Sequence, residues 1–380
     1  MTPPPEKTID YLLAGQGVAG TFLARALIER GRRVLVVDDD QRASSSRVAA
    51  GLLNPITGMR LHLAEGTDVL LAASKKLFAR LEREHARPVF TPVPIRRLYD
   101  SEKEKALKAR RAAEPRYAAL MSGDDAPGIR TAGAALADAH GSFIIHGGGW
   151  VDLPLLLDLE AAWLRARAAL ISGQVHPDDL RPDGRGGVFW GGWHARHGVV
   201  FCNGYKAGQL PCWSGLPWQP AKGEIIDCIT DAAIAPWILN RAGWAIPLGD
   251  GRWRSGSTWE WKQLDETPTP ALGEQLLLRL QGFFATPLNA RLISHRAGVR
   301  PCVLGNHPLC GTHPELPWLH LFGGLGPKGT FWGPACAEAL ADWLCEGIPL
   351  PPRIDLRGRK SANAQKASKD AGLQPGKTDK

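Results

Sequence analysis

No apolar run in the 380-residue chain approaches the roughly 20 residues needed to span a bilayer, so a helical membrane protein is excluded. Met1 to Lys7 is Pro-rich and polar, without the apolar core and small-residue cleavage site of a secretion signal, so a cytoplasmic protein is expected. No two of the seven cysteines, at 202, 212, 228, 302, 310, 336 and 345, are spaced as a CxxC pair. Zinc ribbons and thioredoxin-type redox motifs therefore lack support, and most of these thiols are expected to be reduced and buried as small hydrophobes. His194 and His197 have a spacing that one helical turn could present together, but they sit in a Gly/Trp-rich stretch without a nearby carboxylate, and no metal is expected there.

The chain also has little net charge in its body. Arg353 to Lys380 carries eight Lys/Arg against three Asp/Glu, so the overall +8 leaves +3 for the remaining 352 residues. That tail has almost no large apolar residues and is expected to be disordered. It reads as a solubilising tail; a weak electrostatic tether for RNA or another acidic partner stays open. With 44% hydrophobic and 22% charged residues the whole chain has ordinary globular composition, long enough for about two to three domains.

The N-terminus is the most readable stretch. Ile9 to Ala14 is a buried-strand run, Gly15-Gln16-Gly17-Val18-Ala19-Gly20 follows, and Thr21 to Arg30 carries Phe22, Leu23, Ala26 and Leu27 on one helical face. A second buried strand, Val34 to Val37, ends in Asp38-Asp39-Asp40. GxGxxG by itself is a weak signal, but a strand before it, a helix after it and an acid at the end of the next strand make it a dinucleotide-binding fingerprint. Gly15 permits the tight turn, Gly17 lets the backbone approach a pyrophosphate, Gly20 allows close helix–strand packing, and Asp38 is placed for ribose hydroxyls.

Further on, Thr67 to Arg87 reads as an amphipathic helix, Pro92 to Tyr99 as a strand leading to a charged helix, and 123–149 as loop. Asp152 caps a helix expected to reach about Leu170, with Pro154 in its first turn. Gly198 to Asn203 is a buried strand closing on Gly204. From Cys212 to Trp261 seven tryptophans (213, 218, 237, 244, 253, 259 and 261) punctuate short strand-like pieces, which suggests a separate β-rich unit. They are core packing or, for a few, the lining of an aromatic pocket. Leu272 to Ala285 reads as helix, Leu319 to Gly323 as a strand, and Gly324-Leu325-Gly326-Pro327-Lys328-Gly329 as the turn opening a last helix, Gly333 to Glu346.

With a glycine-rich strand-to-helix turn at each end, the sequence resembles the FAD-dependent D-amino-acid oxidase superfamily, in its glycine oxidase and sarcosine oxidase-like branch. The resemblance covers most of residues 9 to 346. It rests on the fingerprint, on the Ser44 to Pro55 loop (SSSRVAAGLLNP), on Gly149-Trp150-Val151-Asp152-Leu153-Pro154, on Val199 to Gly204 and on Lys222-Gly223-Glu224. Gly256-Ser257-Thr258-Trp259-Glu260, Gly298-Val299-Arg300-Pro301 with Pro308 to Gly311, and the turn Gly323 to Thr330 complete it.

The resemblance implies an α/β fold (α+β overall): a Rossmann-like FAD-binding domain of the glutathione-reductase type with an interleaved, β-rich antiparallel substrate domain. It implies a FAD domain at 8–90, 145–210 and 293–350, a substrate domain at 91–144 and 211–292, and the basic tail at 353–380. FAD is implied to contact Gly15, Gly17, Val18, Ala19, Gly20, Asp38 and Asp39; Ser45, Arg47, Ala50, Gly51 and Leu52; Val175, Asn203 and Gly204; Arg300; and Gly324, Leu325, Gly326, Lys328, Gly329 and Thr330. The position of the sarcosine oxidase branch's flavin-attaching cysteine is about Gly298, so non-covalent FAD is expected, with Cys302 keeping another linkage open.

The implied activity is oxidation of a C–N bond in a small amine or amino acid, by hydride transfer to flavin N5 to give an imine. Arg300 matches the family's substrate-carboxylate arginine, Lys328 is placed to balance charge on the flavin, and Arg254 stands where the sarcosine oxidase branch has an oxygen-activating lysine. Gly305 replaces an acid common after the Arg-Pro pair. The electron acceptor, oxygen or another, stays open. So do two alternatives: the oxidase half of a tRNA wobble-uridine modifying enzyme, whose substrate is also a carboxylate-bearing secondary amine, and a non-catalytic flavoprotein.

Overall fold

The computed structural model describes residues 7–39, 44–131, 134–231 and 235–359. Asp40 and the basic stretch from 360 onward lie outside the described residues.

The strand–turn–helix reading of the N-terminus holds: strand Tyr11–Ala14, helix Val18–Glu29 and strand Val34–Asp38 follow in order. They belong to a six-stranded sheet ordered Leu170–Ser172, Val34–Asp38, Tyr11–Ala14, Val199–Phe201, Leu319–Gly323, Leu309–Thr312. The first five strands are parallel and the last is antiparallel. Strands covered on both faces must be apolar throughout. Leu13, Val36, Val200 and Phe322 pack into one core with helices Val18–Glu29, Thr67–His85 and Gly329–Glu346. Leu12, Leu35, Val199 and Leu321 fill the other face, with Val188, Ala195 and Trp213.

An eight-stranded sheet runs Ala290–Arg300, Ala221–Thr230, Arg252–Gly256, Gly243–Gly249, Ile238–Arg241, Ile95–Leu98, Ser142–Ile145, Met121–Asp125. All its neighbours are antiparallel except Ile238–Arg241 with Ile95–Leu98. Helix Pro270–Gln281 packs on it through Leu276 and Leu280. Mixed α/β is thus the class, with a mainly parallel and a mainly antiparallel sheet in one chain.

Several expectations are corrected. The stretch 123–149 is not loop: it contributes strands Met121–Asp125, Ser142–Ile145 and Gly149–Val151. Its acids hid the strand, because Asp124 accepts from Tyr99 Oη and Lys108 Nζ, and Asp125 accepts from Arg96. The helix expected to reach Leu170 ends at Arg165, the chain turns through Ala168 at φ 52°, and Leu170–Ser172 becomes the edge strand of the six-stranded sheet. The last helix begins at Gly329, one turn before Gly333. Pro334 therefore lies inside it, and Ser74 Oγ donates to the Thr330 carbonyl that the missing Pro334 N–H cannot reach.

The boundary expected at 293 falls within the strand Ala290–Arg300, which pairs along its length with Ala221–Thr230. The tail expected to be disordered from 353 stays on the body to 359: Ile354 and Leu356 are buried, and Arg353 donates to the Glu65 carbonyl. Among the described residues no helix is long and apolar enough to cross a membrane.

The body carries a pH-sensitive contact. His320 is buried on the Leu319–Gly323 strand, with Thr312 Oγ1 2.9 Å from Nδ1 and the His197 carbonyl 2.9 Å from Nε2. Thr312 Oγ1 also accepts from Trp343 Nε1, so its own proton goes to Nδ1, and Nε2–H goes to the carbonyl. Burial pushes the imidazole down to about 4 from its ordinary 6.5. An unfolded chain binds that proton first, so stability is full above pH 6.5 and falls as pH drops toward 4. Between pH 7 and 5 the loss is about 2 kcal/mol. Urea unfolding at the two pH values should show this loss shrink in His320→Gln; an equal loss in both proteins would remove the assignment.

Candidate functional site

The carboxyl ends of the parallel strands face the eight-stranded sheet across a cavity of about 1220 Å³, where open α/β sheets bind ligands. The turn after the first strand is built for a tight approach. Gly15 sits at φ 109°, where a Cβ would come within 2.9 Å of the Cys202 carbonyl oxygen. A Cβ on Gly20 would lie 1.8 Å from the Gly15 carbonyl oxygen. The helix that follows has no side-chain cap at Gly17, and its first amide, Val18 N, donates to Ser46 Oγ at 3.1 Å. Helix geometry leaves the Ala19 and Gly20 amides without intrahelical acceptors. Asp38 Oδ2 accepts the Gln16 amide at 2.6 Å and so fixes the turn, while Asp39 is held by Gln174 Nε2 at 2.8 Å.

Of the site residues expected from sequence, all but Gly20 and Arg254 line this cavity. Gly20 is one layer behind, packed on Gly15. Ser45, Arg47, Ala50, Gly51 and Leu52 come from the loop beside the turn, and the Leu52 carbonyl accepts Thr330 Oγ1 at 3.1 Å, tying that loop to the second glycine turn. Val175, Asn203 and Gly204 follow the ends of two further strands, and Asn203 Oδ1 is buried without a hydrogen-bond partner among the described residues. Gly324, Leu325, Gly326, Lys328 and Gly329 form the remaining wall at the start of the last helix. Burial lowers the Lys328 ammonium below its ordinary range. A turn that a Cβ would fill, free helix amides and an orphaned acceptor are together a fit for an extended phosphate-bearing cofactor.

Arg300 closes the strand Ala290–Arg300 and reaches the cavity beneath Trp259, its guanidinium 4.3 Å from the ring centre. Its amino groups donate only to carbonyls, those of Thr258 at 3.2 Å and Lys222 at 3.3 Å. Among the described residues it has no ion-pair partner. Desolvation pulls it down to about 10, which leaves it charged at neutral pH. Cys302, nearby, is pushed up to about 11 by burial, so its thiol stays protonated and is a poor nucleophile.

Arg254 is a correction. It forks onto Asp227 at 2.8 and 3.1 Å, a carboxylate shared with Arg296 at 2.8 Å, and does not line the cavity. Its charge is engaged in this cluster. The histidine pair is also reassigned: His194 lies on a strand against Asp183 at 2.9 Å, the carboxylate partner that sequence spacing did not show. The tryptophans divide, with Trp213 and Trp253 wholly buried, Trp244 and Trp259 lining the cavity, and Trp261 exposed against Trp259.

Sequence reading missed Ser46, Arg97, Asn240 and Trp244 as cavity residues. The Ser44–Ser46 run gave no reason to choose its third member. Arg97 had a signal: two adjacent arginines in an otherwise buried strand must face opposite ways. Arg96 goes to Trp237 and Asp125, and Arg97 to Glu104 and Asn240 at the cavity wall.

The model of the family described as FAD dependent oxidoreductase matches residues 10–343. A tRNA 5-methylaminomethyl-2-thiouridine biosynthesis bifunctional protein of Aeromonas hydrophila is 24% identical over 93% of this chain and 58% of its own length, so the chain spans less than two thirds of that relative. The glycine oxidase structure from Geobacillus kaustophilus superposes with TM-score 0.74 at 22% identity, covering 89% of this chain and 95% of that one. Iminodiacetate oxidase from Chelativorans sp. BNC1 gives 0.72 at 22%, covering 91% and 99%. These structures share the fold. A family match that takes in both glycine turns and everything between them makes this chain a member of the FAD dependent oxidoreductase family, whose cofactor the cradle suits.

Proposed function

We propose that the chain oxidises the C–N bond of an amine carrying a carboxylate on its α-carbon, a glycine-type N–CH2–COO⁻ unit. Arg300 carries this reading: a desolvated guanidinium on the cavity wall, held by carbonyls and without a carboxylate of its own among the described residues, is complementary to a substrate carboxylate. The names of the two structural neighbours fit, since glycine and iminodiacetate share that unit.

The reading assigns the Gly15–Gly20 turn and the Val18–Glu29 helix amides to the cofactor pyrophosphate, Asp38 to its ribose, and a glutathione-reductase-type arrangement to the half of the chain that holds it. Bound FAD supplies a hydride acceptor, and the amine leaves as an imine that water hydrolyses. Lys328 and the N-terminal amides of the last helix put positive potential on the cavity wall, which favours an anionic ligand. Trp244 and Trp259 line the cavity, and the Trp259 ring lies against the Arg300 guanidinium that would meet the substrate carboxylate. FAD is assigned as non-covalent, because Cys302 is held as the thiol and Gly298 has no nucleophile.

The match over 93% of the chain favours a second reading, in which the same unit is borne by a base of tRNA. A single experiment addresses both. The purified holoprotein, kept anaerobic, is mixed in turn with glycine, iminodiacetate, methylamine and tRNA bearing a carboxymethylaminomethyl wobble base. Loss of the visible flavin bands with one or more of the carboxylate amines and not with methylamine is expected, and the substrate that bleaches fastest picks the reading. Recovery in air assigns oxygen as acceptor. Equal bleaching by methylamine, or none with any carboxylate amine, would overturn the proposal.

A further inference from the structure

The side chains of Lys222 and Glu224 point away from the cavity, yet they are among the most buried charged groups in the protein, each 1% exposed. Lys222 Nζ donates to Asp265 Oδ1 at 2.7 Å and to the Thr267 carbonyl at 2.5 Å, with Glu224 Oε1 at 3.6 Å. Glu224 Oε2 accepts the Thr269 amide at 2.9 Å and lies 2.7 Å from His295 Nε2. The backbone of the same strand grips the start of the same segment. Lys222 and Glu260 exchange both of their amide hydrogen bonds, at 2.7 and 3.0 Å, and Glu224 N donates to Thr258 Oγ1 at 2.9 Å.

Apart from the Lys222–Glu224 approach and the contact with His295, every one of these contacts ends on residues 258–269. This strap carries the groups that seat Arg300: the Thr258 carbonyl beneath its guanidinium and the Trp259 ring stacked on it. The strap has little else to hold it. Trp261 is 57% exposed and Lys262 is exposed, so burial of apolar area does not fix the segment. A buried ammonium shared between a strap carboxylate and a strap carbonyl does.

We infer that Lys222 and Asp265 form a latch that positions Arg300 for its ligand by holding the 258–269 strap against the Ala221–Thr230 strand. The inference rests on Arg300 as the carboxylate anchor. Lys222 and Asp265 are positioning residues, since neither lines the cavity. Lys222 also holds Asp265 down to about 2, so the Asp265 carboxylate stays ionised throughout the neutral range.

Asp265 is the residue to change, because its side chain is 41% exposed and asparagine keeps its shape while removing the charge. Asp265→Asn in the holoprotein should raise KM for the carboxylate amine about tenfold, the loss of one charge-assisted hydrogen bond, with kcat kept within about twofold. Asp265→Glu, which keeps the charge, should recover part of the KM. Independently of turnover, trypsin should cut after Lys262 faster in Asp265→Asn than in the parent, read by mass spectrometry of the fragments. Unchanged cutting after Lys262 would overturn the latch. Faster cutting with unchanged KM, while Arg300→Ala raises KM, would show that the strap opens without positioning the anchor, and would overturn the inference but leave the proposed function standing. Unchanged KM in Arg300→Ala would overturn both.

Discussion

Arg300→Ala is expected to lower kcat/KM for a carboxylate-bearing amine by about two to three orders of magnitude, because removing one partner of a desolvated charge pair costs about 2–5 kcal/mol. The size follows from the surroundings. The guanidinium is already stripped of water and rests on two carbonyls and a ring, so its orientation is set before the ligand arrives. Arg300→Lys keeps the charge but loses the planar fork and the stacking on Trp259, and should recover only part of the loss. Steady-state kinetics with glycine-type amines measures the effect, and the visible spectrum checks that each variant still holds flavin. A loss confined to kcat, with KM unchanged, would place Arg300 on the reacting atoms instead of the carboxylate. Turnover unchanged in both variants would remove it from the site.

Arg300 and Arg254 show which parts of the site were legible in sequence. Both are arginines on strands of one sheet, and both were matched to functional positions. Their fates differ because register brings Asp227 opposite Arg254, with Arg296 on the same carboxylate, while no acid reaches Arg300 among the described residues. That information lies in pairings 27 and 69 residues apart along the chain, which no local pattern carries. The first glycine turn was legible because its determinants are local: strand, turn, helix and acid all fall between Tyr11 and Asp38. The same locality explains the Asp152 cap, whose side chain accepts from Leu155 N as the spacing implied. It also explains what was misread. The strand Met121–Asp125 is polar because its acids face buried cations from elements read separately, and the last helix tolerates Pro334 only because Ser74 arrives from another helix. The pocket face of the Trp-rich region was unreadable for the same reason, since alternation says that neighbouring side chains part ways but not which way is inward.

Gly20→Ala should damage both the fold and the cofactor cradle. Gly20 is helical, so alanine is conformationally welcome there and would gain about 1 kcal/mol of helix propensity. The cost is wholly steric: the new Cβ would sit 1.8 Å from the Gly15 carbonyl oxygen, and that atom belongs to a turn pinned from two sides, by Asp38 on the Gln16 amide and by Cys202 behind Gly15. A side chain could swing aside, as Ser46 Oγ can for a methyl group at Gly17; a backbone carbonyl in this turn cannot move without moving the amides that face the cavity. Overpacking of this kind costs about 1–3 kcal/mol of stability. Displacing the amides should add a loss of FAD affinity of about a hundredfold, the equivalent of two charge-assisted hydrogen bonds. Titrating FAD into the apoprotein measures the affinity, and thermal unfolding of the same apoprotein measures the stability. Gly31→Ala is the control, since it meets open space at φ 74° and should lose stability through backbone strain alone, with FAD affinity unchanged. If Gly20→Ala binds FAD as the parent does, the turn is more compliant than its contacts imply, and the cofactor is held chiefly by the second glycine turn and the strand ends around Asn203.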